Sequence, residues 1–134
     1  MKILIVEDEA LLALELESEV EAGGHRVVGV ATDMPEALAL VDLEKPDFAF
    51  VDIHLRDGPT GVDVGRYVAQ RNIPYVFVSG NLKRIPDDFA GALGAIEKPY
   101  TMHGLKNALS YIEAVLSGME RLHPPSSLVT KLRR

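Results

Sequence analysis

Apolar residues occur along this chain in short continuous runs, which alternate with longer stretches of helical periodicity. Five such runs, rich in β-branched and aromatic residues, predict strands at residues 2–6, 26–31, 47–53, 73–78 and 95–98. After the first run, Leu12, Leu16 and Val20 recur at i, i+4 spacing, and the glycine pair that follows ends the pattern. The chain is therefore predicted to begin as strand, helix, strand.

The remaining stretches carry helix signals of unequal quality. Asp33 with Glu36 three residues later is a capping-box signal at the start of a second helix, and Thr101 can cap the last helix. A third helix, between residues 60 and 73, presents one apolar face. The stretch at residues 81–93 contains Pro86, which removes a helical hydrogen bond, so we expect its helix to be short or irregular.

Strands that are apolar throughout, rather than alternating with polar residues, are typical of a parallel sheet buried on both faces. Five of them alternating with five helices predict an α/β fold, a doubly wound five-stranded parallel sheet. The 134 residues suit one compact domain and leave little room for a second core.

Five polar side chains follow the predicted strands at their carboxyl ends, which is where such sheets bind ligands. They are Glu7, Asp8, Asp52, Ser79 and Lys98. Carboxylates gathered in one shallow site repel each other unless a hard divalent cation neutralises them, and Mg²⁺ prefers a few carboxylate oxygens while keeping its waters. The pattern therefore predicts a Mg²⁺ site.

The same residues can support phosphoryl chemistry. A carboxylate oxygen of Asp52 can attack phosphorus when Mg²⁺ and an ammonium group offset the charge on the equatorial oxygens, and Lys98 is the candidate ammonium. The Ser79 hydroxyl and the backbone N–H of Gly80 can donate hydrogen bonds to a phosphoryl oxygen. An isolated Glu7-Asp8 pair would more often cap a helix, but its combination with Asp52 favours function.

Charge and composition narrow the class of protein. The net charge is −6, and residues 118–134 contain four basic residues against one acidic residue, which leaves −9 on residues 1–117. Such an acidic body argues against nucleic-acid binding, and we expect the basic tail to be solvated and frayed. Absent cysteines and the lack of a long apolar run favour a cytoplasmic protein without disulfides or membrane contact.

Four motifs resemble the receiver domains of bacterial two-component response regulators. They are ILIVEDE at residues 3–9, FVDIHL at 50–55, VSG at 78–80 and EKPY at 97–100. The match covers about residues 1–117 and implies a flavodoxin-like sheet with strand order 2-1-3-4-5, followed by a tail over residues 118–134 without an output domain. Residues 73–80 are similar to a single-domain subgroup with a Phe-Ala-Thr-Gly-like motif, from which Val78 and Ser79 depart.

The resemblance implies a role for each matched residue. Asp8, Asp52 and the backbone carbonyl of His54 would bind Mg²⁺, and Glu7 would help through water. Asp52 would accept a phosphoryl group from a histidine kinase or a phosphotransfer protein in a phosphorelay. No other cofactor is implied.

Three further expectations concern the switch. Ser79 would be the switch hydroxyl and Lys98 the partner of the phosphoryl group, with a cis bond between Lys98 and Pro99. Many receivers place an aromatic residue three positions before this lysine, where it swings inward on activation; here that position is Ala95. We therefore expect phosphorylation to reorganise residues 81–93 instead of turning a ring.

Two alternatives remain open from the sequence. A haloacid-dehalogenase-like enzyme would also use an aspartyl phosphate beside Mg²⁺, but it needs a second aspartate where His54 stands, so we expect no turnover of an external substrate. The second alternative is a binding module with the receiver fold that acts independently of phosphorylation. The complete set of site residues favours a receiver. It would act by docking to a downstream protein, by passing the phosphoryl group onward or by draining it as a sink, and the sequence does not choose among these.

Overall fold

A computed structural model describes residues 1–119 and 123–130 of the chain. Its five strands are β1 Lys2–Val6, β2 Arg26–Ala31, β3 Phe48–Asp52, β4 Tyr75–Ser79 and β5 Gly94–Glu97. Its four α-helices are α1 Ala10–Ala22, α2 Met34–Glu44, α3 Gly61–Gln70 and α4 Met102–Leu116. Within these described ranges, no helix is both long and apolar enough to span a membrane.

The strands form one parallel sheet in the order β2-β1-β3-β4-β5, which confirms the predicted fold and strand order. Two of the predicted helix caps are also present. The Asp33 carboxylate accepts a hydrogen bond from the backbone N–H of Glu36, and the Thr101 hydroxyl accepts one from that of Gly104. These caps fix where α2 and α4 begin relative to the sheet.

Each face of the sheet is covered by two helices. On one face, Ala13 and Leu16 of α1 and Leu105 of α4 pack against the β-strands in one core cluster. On the other face, Val41 of α2 and Val64 of α3 belong to the second cluster. Because β3 and β4 are buried throughout, the acidic residue at the end of β3 lies at the rim of a rigid apolar layer.

The prediction of five α-helices is wrong by one. Residues 81–93, which we call the irregular crossover, contain only two 3₁₀ turns, Leu82–Arg84 and Phe89–Gly91. The backbone is left-handed at three consecutive positions, with φ of 54° at Phe89, 49° at Ala90 and 82° at Gly91. A right-handed helix cannot continue through such a run, so the crossover remains shorter and less regular than the expected helix.

The expectation of a solvated tail is wrong for its described part. Residues 125–130, which we call the strap, return to the sheet and pair with its β5 edge. The side chain of Leu128 is 1% exposed and belongs to the core cluster under α1 and α4. The strap therefore belongs to the packed structure of the domain.

Candidate functional site

The parallel register brings the predicted site residues to one edge of the sheet. Val6 of β1 pairs with Val51 of β3, so the residues that follow them, Glu7 and Asp52, lie side by side. Asp52 in turn pairs with Val78 of β4, and Ser79 pairs with Glu97 of β5. Lys98 follows directly, which places all the candidate side chains beyond the carboxyl ends of the four strands.

A single ammonium group bridges the two most buried carboxylates. The Nζ atom of Lys98 donates to Oε1 of Glu7 at 2.7 Å and to Oδ2 of Asp52 at 3.0 Å. Glu7 is 1% exposed and Asp52 is 6% exposed, so both carboxylates have lost most of their contact with water. Buried charges of this kind are tolerated only when they are paired, which explains why Lys98 extends into the site.

Burial raises the pKa of Glu7 to about 7, and the neighbouring Asp52 carboxylate adds to this effect while Lys98 opposes it. The ordinary pKa is 4.5, so the folded state holds this proton more tightly than the unfolded chain does. The stabilisation that this proton provides is therefore complete below about pH 4.5 and is lost as the pH rises to about 7. Near neutral pH, the site holds more negative charge than one lysine can compensate.

Lys98 itself remains a cation. Burial alone would lower its pKa, but the hydrogen bond to Glu7 and the charges of Asp52 and Glu7 raise the pKa above its ordinary value. A lysine held in this way keeps its proton throughout the physiological range. It can therefore pair with whichever anion occupies the site.

Three carboxylates lie close enough together to hold a metal ion. Ligand oxygens of Glu7, Asp8 and Asp52 all lie within 4.8 Å of one another, and Asp8 is half-buried at the mouth of the site. Hard oxygen donors of this kind suit Mg²⁺. The residues present therefore fit the cation that the sequence pattern predicts, and such a cation would also relieve the excess negative charge around Glu7.

Ser79 lies at the site but points its hydroxyl along the chain. Its Oγ donates to the carbonyl oxygen of Asn81 at 3.1 Å and accepts from the backbone N–H of Asn81 at 3.0 Å. Its own carbonyl accepts from the backbone N–H of Lys98 at 2.8 Å. Ser79 is thus bonded both to the lysine and to the first residue of the irregular crossover.

Two more sequence predictions can be located. His54 lies two residues beyond Asp52 in a bend with its side chain exposed, and the proposed role of its backbone carbonyl stays a prediction. The bond between Lys98 and Pro99 is cis, as the resemblance implies.

Sequence reasoning included Tyr100 in a motif but gave it no role. Its hydroxyl is buried and makes no hydrogen bond within the described part of the chain. Burial, together with the charge of Glu15, raises its pKa to about 12. The ring lines a groove beside Lys98 and Glu9. Tyr100 belongs to the motif at residues 97–100, but only the tertiary structure shows that its hydroxyl is buried without a hydrogen bond within the described residues.

Comparison with known proteins agrees with this geometry. Residues 3–110 match the model of the response regulator receiver domain family, and the chain belongs to that family. The phyllosphere-induced regulator PhyR of Methylorubrum extorquens is 38% identical over 85 residues, which cover 62% of this chain and 32% of that protein. The transcriptional regulatory protein PdtaR of Mycobacterium tuberculosis is 33% identical over 116 residues, which cover 81% of this chain and 54% of that protein.

A solved structure is similar over almost its whole length. The solution structure of SdrG from Sphingomonas melonis Fr1 is 34% identical with a TM-score of 0.68, over 84% of this chain and 96% of that one. The chain spans about a third to a half of the two regulators named above. The similarity therefore establishes a receiver domain.

Proposed function

We propose that this receiver domain accepts a phosphoryl group on Asp52 from a histidine kinase or a phosphotransfer protein and signals by docking to a downstream protein. The observation that carries the proposal is the Lys98 ammonium between Glu7 and Asp52, at 2.7 and 3.0 Å. This arrangement places a buried nucleophilic carboxylate beside a permanent cation. Few purely structural roles need both groups at the rim of a sheet.

In the proposed reaction, a carboxylate oxygen of Asp52 attacks the phosphorus of a phosphohistidine. The new O–P bond forms as the P–N bond breaks, and the imidazole leaves with the electron pair of that bond. Lys98, the residue that follows β5, pairs with the equatorial phosphoryl oxygens and offsets their negative charge. The product is an aspartyl phosphate.

Mg²⁺ would be held by Asp8, Asp52 and the backbone carbonyl of His54, with Glu7 contributing through water. When bound, the cation supplies charge neutralisation for the transferred group and for the carboxylates. The closeness of the three carboxylates and the raised pKa of Glu7 support this assignment. Lys98 would then shift its contacts from the carboxylates toward the phosphoryl oxygens.

The conformational change that follows phosphorylation would begin at Ser79. When its hydroxyl turns to donate to a phosphoryl oxygen, it must give up the hydrogen bond that it donates to the carbonyl oxygen of Asn81. That bond helps to hold the start of the irregular crossover, so phosphorylation would reorganise residues 81–93. Ala95, fully buried on the neighbouring strand, has no side-chain rotamer that could change in step.

We further propose that the domain has no enzymatic turnover of an external substrate. His54 occupies the position where a dehalogenase-like enzyme needs its second aspartate, and its side chain is exposed. A binding module that ignores phosphorylation would not need the buried ion pairs of Lys98. A partner protein that docks beside the crossover is the output that this site supports best.

The direct test is chemical. The protein is incubated with acetyl phosphate and Mg²⁺, and its intact mass is measured by mass spectrometry. We expect one phosphoryl group on the wild type, labile in base, and none on Asp52→Asn. A chelator or the Asp8→Ala substitution should reduce the labelled fraction at least ten-fold, because each removes charge neutralisation.

Glu21→Gln is the matched control, since Glu21 is an exposed carboxylate in the last turn of α1, at the end of the helix far from the acidic edge. It should accept phosphate as the wild type does. Equal phosphate gain in Asp52→Asn and the wild type would refute the assignment of the acceptor. Equal labelling with and without the chelator would refute the proposed Mg²⁺ dependence.

A further inference from the structure

The strap is attached to both ends of the segment that carries Lys98. At the start of this segment, the backbone N–H of Ala95 donates to the carbonyl of Val129, and the N–H of Val129 donates to the carbonyl of Ala95, both at 2.8 Å. At its end, in the first turn of α4, the Ser127 hydroxyl donates to the carbonyl of Gly104 at 2.7 Å. Lys98 lies between these two attachments, so the strap holds the chain on both sides of it.

One buried side chain of the strap anchors the same segment. Leu128 is 1% exposed and belongs to the core cluster that also contains Ile96 of β5 and Leu105 at the start of α4. A fully buried leucine makes many favourable packing contacts, and its truncation leaves a cavity. The loss of this side chain would therefore loosen the residues on both sides of Lys98.

Two glycines make room for the strap. A Cβ atom on Gly94 would lie 2.6 Å from the carbonyl oxygen of Val129, and one on Gly104 would lie 3.2 Å from the Cβ of Ser127. Neither glycine has a positive φ, so the backbone conformation does not require glycine at either position. Their missing side chains therefore serve the close approach of the strap to β5 and α4.

The position of Lys98 depends on β5, which is a short edge strand. The strand has four residues, and β4 is its one neighbour in the five-stranded sheet. Lys98 follows this strand and must reach the carboxylates of Glu7 and Asp52 at the same time. Placement matters for such a group, since a shift of about 1 Å can slow a reaction by about 10²-fold. A second set of contacts on the free edge of β5 would limit such shifts.

We propose that the strap is a positioning element for the phosphoryl chemistry and that Leu128 is its main positioning residue. By holding β5 and the start of α4 together, the strap keeps the Lys98 ammonium beside Asp52. Leu128 is buried in the apolar core, so it acts through Lys98 and not on the phosphoryl group directly. This inference rests on the proposed function, because it concerns the rate at which Asp52 accepts a phosphoryl group.

The test is the rate at which the whole chain is labelled by acetyl phosphate at saturating Mg²⁺, followed by intact mass. A small donor needs no docking protein, so the rate reports on the site itself. Leu128→Ala should be labelled at least five-fold more slowly than the wild type, and Leu128→Met, which nearly preserves the volume, should restore most of the rate. Amide hydrogen exchange at Ala95 and Lys98 should be faster in Leu128→Ala.

Val20→Ala is the matched control. Val20 is 1% exposed and belongs to the same core cluster, but it lies near the end of α1 that is far from the acidic edge. This substitution should lower the stability in urea denaturation and leave the labelling rate unchanged. Gly94→Ala is a second test, because its methyl group would exclude the strap without removing an apolar side chain, and it should slow labelling as Leu128→Ala does. Circular dichroism verifies that each variant is folded.

A double substitution separates positioning from stability. In a chain that already carries Lys98→Ala, Leu128→Ala should cause no further slowing, because the strap acts through the lysine. Equal slowing in the presence and absence of Lys98 would overturn the positioning role, as would wild-type rates in both Leu128→Ala and Gly94→Ala. Either result would leave the proposed function intact. A wild-type chain that is never labelled on Asp52 would overturn the proposed function and this inference together.

Discussion

Two crossover segments cover neighbouring parts of the same sheet face, yet they are built differently. The crossover between β3 and β4 contains a regular helix, α3, whose apolar stripe includes the buried residues Val64 and Val68. The irregular crossover between β4 and β5 has 3₁₀ turns only, and its internal backbone hydrogen bonds span three residues. A helix carries its own hydrogen-bond ladder, whereas the irregular crossover depends on contacts that the sheet provides.

Two of those contacts lie in the buried core. The ring of Phe89 is 1% exposed and anchors the crossover in the core. The hydroxyl of Tyr75, on β4, donates to the carbonyl of Ala90 at 2.7 Å, and the missing side chain of Gly65 in α3 leaves room for it. On this face of the sheet, α3 is stabilised by its own backbone hydrogen bonds, whereas the irregular crossover depends on tertiary contacts. The crossover can therefore lose its order when one of those contacts is removed.

The largest effect is expected from Phe89→Ala, which should lower the free energy of unfolding by about 3–5 kcal/mol because it leaves a cavity in the core. Amide hydrogen exchange should show that protection is lost first in residues 81–93. Val64→Ala in α3 is the matched control and should lower global stability without a separate local opening. If Phe89→Ala left the crossover as protected as α3, the comparison between the two segments would be wrong.

Tyr75→Phe should have the next largest effect, about 1–3 kcal/mol, because the buried carbonyl of Ala90 loses its donor. Urea denaturation measures the loss. Tyr67→Phe provides the control, since the Tyr67 hydroxyl donates to Asp42 at the exposed surface, at 2.7 Å, and its loss should lower the stability much less than Tyr75→Phe does. Similar costs for the two substitutions would contradict the role given to Tyr75.

These contrasts show what the sequence can predict. The strand runs and their carboxyl-terminal acidic residues predicted the sheet and the grouping of Glu7, Asp52 and Lys98, because parallel strands have little freedom in where they end. Pro86 correctly indicated an irregular segment. The left-handed run at Phe89 and Ala90 could not be predicted, since neither residue type favours that conformation and tertiary contacts impose it.

The pairing of the strap with β5 also could not be predicted from the sequence. Its pairing involves one residue on each strand, and Leu128 follows a Pro-Pro-Ser-Ser segment that indicates the end of regular structure. A two-residue extended segment has no periodicity to detect. The bonds that hold Ser79 to Asn81 are similarly invisible, because any serine before a glycine would also be typical of a turn.

The smallest effect is expected at Ala90, whose φ of 49° is left-handed. Ala90→Gly relieves the backbone strain but increases the entropy of the unfolded chain and removes a buried methyl group, so the stability should change by less than about 0.5 kcal/mol. Ala69→Gly in α3 should instead cost about 0.5–1 kcal/mol, as glycine does in helices. Thermal denaturation compares the two; an equal cost at both positions would mean that the left-handed run carries no strain.

The central claim is that phosphorylation of Asp52 acts on the irregular crossover through Ser79. Amide hydrogen exchange with Mg²⁺, in the presence and absence of beryllofluoride as a substitute for the phosphoryl group, tests it on both crossovers in one sample. We predict changed protection across residues 81–93, unchanged protection in α3, and no change at all in Asp52→Asn. Constant protection across residues 81–93, with changes confined to other parts of the wild-type chain, would contradict the account.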